Sequence, residues 1–155
     1  MNLPLKKPKK KQQYYKSDII KQFENQYFEF ERQKHPNFPY PVKTQFRDDS
    51  ANELTKCIIK WLEMNGHFAG RVNTTGTYSK KLNKFIHSGS RKGMADVTAV
   101  VNGRHVSIEI KIGRDKLRPE QLKVKDEVEK AGGIYLVVSS FDNFMEQITK
   151  WFKMV

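Results

Sequence analysis

The dipeptide Asn102-Gly103 fixes more of this chain's fold than any other pair of residues. It sits between two β-rich runs, Ala95 to Val101 and Arg104 to Ile112. An Asn-Gly turn accepts positive φ at both central positions, so it closes a hairpin whose twist matches its strands. A two-residue turn also sets the register. Val101 pairs with Arg104, Val97 with Ile108, and Asp96 falls opposite Glu109. Side chains alternate along a strand. One face therefore reads Val97, Ala99, Val101, Val106, Ile108 and Ile110, which is a core face. The other reads Asp96, Thr98, His105, Ser107, Glu109 and Lys111.

The segments around the hairpin supply its neighbours. Pro119 opens a helix that runs to about Ala131, as a first-turn proline should, and Gly132-Gly133 stops it. Ile134 to Ser139 reads as a buried strand. A helix lies between it and strand 104–112, and that crossover favours parallel pairing. Phe141 to Lys153 reads as an amphipathic helix. Upstream, Ser17 caps a helix to about Lys34 with a stripe of Ile19, Ile20, Phe23, Tyr27 and Phe30. Pro36, Pro39 and Pro41 make 35–49 a connector. Ser50 and Glu53 have capping-box spacing before a helix over 51–65 that turns Leu54, Cys57, Ile58, Trp61 and Leu62 inward. A short strand over 67–73 precedes a stretch of Thr, Ser, Gly and Lys at 74–93, read as one long loop. The expected fold is α/β: a mixed sheet flanked by helices, in the order helix, strand, hairpin, helix, strand, helix.

Charge narrows the partner. The chain has a formal net charge of +12. Lys6, Lys7, Lys9, Lys10, Lys11 and Lys16 fall in residues 1–16 with no acid among them. Lys80, Lys81, Lys84, Arg91 and Lys92 fall in 74–93, again with no acid. A nearly neutral body with two basic segments points to a polyanion, most simply nucleic acid. Residues 1–16 read as a disordered basic tail. No run of residues has the length and apolarity of a membrane span, and the N-terminal lysines lack the apolar stretch of a secretory signal. One cysteine, Cys57, excludes an internal disulfide and a Cys-based zinc site. The expected compartment is reducing.

The polar hairpin face carries the chemistry. Two facing carboxylates repel, by up to about 1 kcal/mol. A hard divalent cation would relieve this, since Mg²⁺ takes one or two protein carboxylates plus waters and substrate phosphate. Lys111 neutralising one acid on a solvated face is the alternative, and a bulge would shift the register. His105 lies toward the turn and reads as surface. His35, His67 and His87 show no metal-ligand spacing.

Gly93-Met94-Ala95-Asp96 followed by Ile108-Glu109-Ile110-Lys111 resembles the G-x-x-D … E-x-K signature of the PD-(D/E)XK nuclease superfamily. Leu117 to Gln121 and Ala131 to Ile134 resemble its VRR-NUC branch, with archaeal-type Holliday-junction resolvases sharing much of the pattern. The resemblance covers about 50–140 and implies a restriction-endonuclease-like core, with a nuclease domain at 50–155 preceded by a helix and connector at 17–49. It implies a hydrolase, a metal-dependent endonuclease of DNA repair or replication in a phage or bacterial setting. Asp96 and Glu109 would be ligands of Mg²⁺ or Mn²⁺, with the Ile110 carbonyl as a third oxygen. Lys111 would act on the attacking water or the phosphate. Glu53 reaches a metal through water or only caps its helix; both readings stay open. Gln121 shares an inward helical face with Leu117, Val124 and Val128 and needs a polar partner, which the site would supply. Arg71, Asn73, Tyr78, Lys80, Lys81, Lys84, Arg91, Lys92 and the tail lysines Lys6, Lys7, Lys9, Lys10 and Lys11 are the candidate nucleic-acid contacts.

The implied substrate is branched or flapped DNA, with no small-molecule cofactor. A homodimeric Holliday-junction resolvase is one alternative, a non-catalytic nucleic-acid-binding protein another, and an RNase or toxin of the same fold a third. The implied location is the cytoplasm or nucleoid, or the nucleus in a eukaryotic host.

Overall fold

The computed structural model describes residues 13–39, 42–73, 76–86 and 89–153. The tail lysines Lys6, Lys7, Lys9, Lys10 and Lys11 lie outside them. The element order is α1 (Asp18–Lys34), α2 (Ala51–Met64), β1 (Phe68–Arg71), β2 (Thr77–Ser79), β3 (Lys84–Ile86), β4 (Val97–Val101), β5 (Arg104–Ile110), α3 (Pro119–Lys130), β6 (Ile134–Val138) and α4 (Phe141–Phe152). Three helices start at serine caps: Ser17 accepts from Ile20, Ser50 from Glu53 and Ser140 from Asn143.

The main sheet has the order β1-β4-β5-β6. β1 and β4, and β4 and β5, are antiparallel, while β5 and β6 run parallel across the α3 crossover. Asn102 and Gly103 both take positive φ, 48° and 78°, and the hairpin register is the expected one, with Val101 opposite Arg104 and Val97 opposite Ile108. One difference matters for the site. The ladder ends at Val97, so Asp96 lies just past it. There the Asp96 carboxylate takes over the acceptor role that a strand backbone would fill: its Oδ2 receives the Ile110 amide at 2.8 Å. On the other side the Asp96 carbonyl accepts from Val72.

The two faces of the sheet are unlike. Val97, Ala99, Val101, Val106, Ile108, Ile134, Leu136 and Val138 are buried in one cluster with Ile20 and Phe23 of α1, Leu54, Ile58 and Leu62 of α2, and Phe141, Phe144 and Ile148 of α4. Burying such side chains is worth roughly 1.5–3 kcal/mol each relative to leaving them exposed. The other face carries a smaller cluster, Ala95, Val124 and Tyr135, flanked by Met94, Val128 and Val137. α3 contributes to it and packs against β6. Over β1 and β4 the same face holds exposed Phe68 and Val100.

Residues 13–39 and 42–49 belong to this same body. Glu24 of α1 is buried; it accepts from the Phe46 amide at 2.7 Å and pairs with Lys16 at 2.5 Å. Phe46 is fully buried beside Phe23 and Tyr27. Asp48 accepts from the Tyr14 hydroxyl and from the Phe141 amide at the start of α4, each at 2.9 Å. So the proline-containing connector is a strap between α1 and α4, and Lys16 is tied to the fold.

The stretch read as a single loop over 74–93 contains a second, two-stranded sheet. β2 and β3 pair antiparallel, Tyr78 opposite Phe85 and Ser79 opposite Lys84. No Gly marks its turn; Asn83 supplies the positive φ, at 46°.

Candidate active site

The site lies where β4 and β5 part. Glu109 of β5 is only 2% exposed. Its Oε1 receives two donors, the Gln121 amide at 2.5 Å and the Lys111 ammonium at 2.9 Å. Lys111 is itself buried and also approaches Asp115 at 3.4 Å. The alternation along β5 puts Ser107, Glu109 and Lys111 on the α3 side, as the sequence implied, and Asp96 is close enough for its charge to act on Glu109. Burial pushes the Glu109 carboxyl above the ordinary glutamate range; the hydrogen bond from Lys111 opposes this, the charge of Asp96 adds to it, and Gln121 also opposes it.

Gln121 reaches Glu109 because of how α3 begins. Arg118 is the N-cap, Pro119 occupies the first turn, and the Gln121 side-chain oxygen accepts from the Arg118 amide at 2.9 Å. The amide oxygen caps the helix while the amide nitrogen serves the site. A single side chain thus locks the α3 start onto β5. Gly93 makes that approach possible. It takes φ +82°, and a Cβ there would fall on the Glu120 carbonyl and crowd the Gln121 amide. The glycine of the G-x-x-D run therefore lets the chain before Asp96 lie against the first turn of α3.

Tyr135 is a site residue that sequence reasoning passed over. Its position in a continuous apolar run, Ile134 to Val138, reads as plain core. In the parallel register it lies beside Ser107 and on the α3 side of the sheet, in the smaller cluster. Burial raises its hydroxyl pKa, and the charges of Glu109 and Asp96 raise it further. Glu109 lies close enough to the hydroxyl to raise it by hydrogen-bonding as well, but the approach is not a well-formed bond, and neither the hydroxyl nor Glu109 Oε2 has another partner. Two buried polar atoms without partners next to one another form a polar niche.

Glu53 stands apart from this group. It is half-buried in the first turn of α2, with its amide held by Ser50 at 3.3 Å. Among the described residues, no three His, Cys, Asp or Glu side chains cluster closely enough to hold a metal ion. The start of α2 does lie at the same end of the sheet: Asn52 accepts from Arg71 at 2.6 Å, and Arg71 pairs with Val97. The Ile110 amide is occupied by Asp96. Cys57 is buried, and burial pushes its thiol up to about 12, away from the reactive thiolate.

The nucleic-acid candidates divide. Arg71 is bonded to Asn52, and Arg91 is ion-paired with Glu127 of α3 at 2.6 Å. Asn73 closes the root of the basic segment, its carbonyl accepting from Ser90 at 2.8 Å. Lys80, Lys81, Lys84 and Lys92 are exposed, and none is ion-paired among the described residues. Tyr78 is exposed, with its hydroxyl bonded to Asn83.

The chain matches no family model and no curated protein.

The donor set suits a hard divalent cation. Asp96 and Glu109 supply carboxylate oxygens, and Oε2 of Glu109 is buried without a partner. Mg²⁺ favours one or two such carboxylates completed by water and phosphate oxygens.

Proposed function

We propose that this protein is a divalent-metal-dependent nuclease that hydrolyses phosphodiester bonds in DNA, with a restriction-endonuclease-like core. One observation carries the reading. A buried glutamate lies within electrostatic reach of an aspartate, its second oxygen unpartnered, with a lysine and a glutamine on its first. A purely structural acid would not be expected to lie within reach of a second carboxylate's charge, because that charge opposes its ionisation. The resemblance of Gly93 to Lys111 to the G-x-x-D … E-x-K signature points the same way.

In this reading Asp96 and Glu109 hold Mg²⁺ or Mn²⁺, and the ion supplies charge neutralisation at the scissile phosphate and a more acidic water. Lys111 leaves Glu109 to bind a phosphate oxygen or the attacking water, acting as a compact charge on a flexible stem. Gln121 keeps Glu109 oriented throughout. The exposed lysines of the β2–β3 segment and the tail lysines hold the backbone of the nucleic acid by counterion release.

A non-catalytic nucleic-acid-binding protein is the second reading, favoured by the closed Lys111–Glu109 ion pair, which already neutralises the acid. A cleavage panel decides between them. Purified protein is given labelled flap, splayed-arm, four-way, single-stranded and duplex DNA with Mg²⁺, Mn²⁺ or EDTA. Metal-dependent cutting of branched DNA is expected. Paired cuts confined to the four-way junction would indicate a dimeric resolvase. Binding without any metal-dependent cut would establish the non-catalytic reading.

A further inference from the structure

The hairpin of β2 and β3 has an unusual surface. Tyr78, Leu82, Phe85 and Ile86 are each 45–56% exposed within nine residues of chain. Single exposed apolar residues are ordinary, but a group of them on one small element marks a contact surface. Exposed Lys80, Lys81 and Lys84 are interspersed with them, and no acid occurs anywhere in 74–93. Tyr78 and Phe85 stand directly opposite across the two strands, so both rings share one face.

The hairpin is preformed and stands off the main sheet, its main packing being strand on strand. A lone two-stranded ribbon is marginal in water, so local contacts must hold this one. Tyr78 donates to Asn83, the Leu82 amide donates to Ser79 Oγ, and a Cβ at Gly76 would fall on the Phe85 ring and the Ile86 carbonyl. These contacts shape the ribbon without burying its apolar residues. Its root lies at the rim of the carboxylate site. On the entering side Val72 donates to Asp96, on the leaving side Gly93 touches the start of α3, and Ser90 bonds back to Asn73 between them.

We propose that this hairpin is a base-stacking finger that holds unpaired nucleotides at a duplex end or fork. The assignment rests on the nuclease reading only for why such a strand is brought to Asp96 and Glu109. An exposed aromatic ring such as Tyr78 among lysines is the chemistry of single-strand binding: the ring stacks on bases of any sequence while the ammonium groups follow the phosphates. A ribbon reading duplex base edges would need a free side-chain amide at its tip, and here the Asn83 amide oxygen is taken by the Tyr78 hydroxyl while Leu82 stands exposed beside it. Bases are available for stacking only where the duplex is open, which selects ends and branches over continuous duplex.

The test measures binding by the full chain in EDTA, so no cleavage step enters. Fluorescence anisotropy compares a labelled oligothymidylate, a blunt duplex and the same duplex with a single-stranded arm. The parent is expected to prefer the armed duplex over the blunt one. Tyr78→Ala is expected to weaken binding of the oligothymidylate and the arm by about 5- to 100-fold and to bring the armed-to-blunt preference close to one. Tyr78→Phe keeps the ring and loses the bond to Asn83, and is expected to bind within about threefold of the parent. The proposal is overturned if Tyr78→Ala binds single strands like the parent. Equal losses in Tyr78→Ala and Tyr78→Phe also overturn it, because the turn and not the ring would then matter. So does a parent that binds phosphatidylserine vesicles but no DNA. Because the metal is absent, these results leave the nuclease reading untouched; intact stacking with no metal-dependent cutting would remove that reading alone.

Discussion

Replacing Lys111 by methionine removes the charge and keeps an unbranched apolar stem. The ion pair it breaks is buried at both ends, with side-chain exposures of 8% for Lys111 and 2% for Glu109. Taking one partner from such a pair leaves the other as an uncompensated buried charge, at about 3–5 kcal/mol. For a domain of this size that lowers Tm by roughly 6–20 °C. The loss carries a pH signature. Glu109 is already raised above the ordinary glutamate range, and without Lys111 it rises further. A group whose folded-state pKa is raised leaves stability intact below its unfolded pKa and withdraws it as pH climbs through the folded value. The deficit of Lys111→Met is therefore small in acid and grows toward neutrality, by up to about 1.4 kcal/mol per pH unit. Denaturant melts of parent, Lys111→Met, Glu109→Gln and the double variant, from about pH 4 to about pH 8, measure it. The double variant is expected to regain most of the loss, because the two residues are coupled. A deficit that is the same at every pH, with no recovery in the double variant, would mean that Lys111 contributes only by packing its stem.

Three further outcomes follow from the same geometry. Gly93→Ala forces a side chain at φ +82° onto the Glu120 carbonyl, so it is expected to lose about 2 kcal/mol or more and to uncouple Gln121 from Glu109, read as a fall in both Tm and cutting rate. Tyr135→Phe removes a buried hydroxyl that completes no hydrogen bond, so the metal-free variant is expected to melt at or above the parent; a loss above about 1 kcal/mol would mean that the hydroxyl bonds Glu109 after all. Mn²⁺ is expected to raise the parent's Tm, by about 2.7 kcal/mol of stability at a hundred times Kd, and to leave Asp96→Asn unmoved. Asn can still accept from the Ile110 amide, so that variant keeps the strand end.

Much of the fold was legible because local and tertiary preferences agree. Asn102-Gly103 gave the turn and the register, the serines at 17 and 50 gave two helix starts, and the apolar stripes gave the faces. The β2–β3 hairpin was missed for a physical reason. Its strands bury no face, so no alternation of apolar and polar residues records them, and Asn83 replaces the glycine that would flag the turn. The site was legible as residue types and a register. Its internal pairing was not: that Asp96 would stand in for a strand backbone, that Lys111 would close on Glu109, and that Gln121 would cap its helix and hold Glu109 at once are three-dimensional facts. The same holds for Glu24, which ties the connector to α1 from inside.

The most direct measurement is the rate at which Asp96→Asn cuts a flapped DNA in Mn²⁺, beside the parent and beside the binding of the same DNA in EDTA. If Asp96 and Glu109 together hold the ion, the variant cuts at least about a hundredfold more slowly while it binds the DNA as the parent does, since the exposed lysines lie elsewhere. Cutting at the parental rate would contradict the assignment of catalysis to this carboxylate pair.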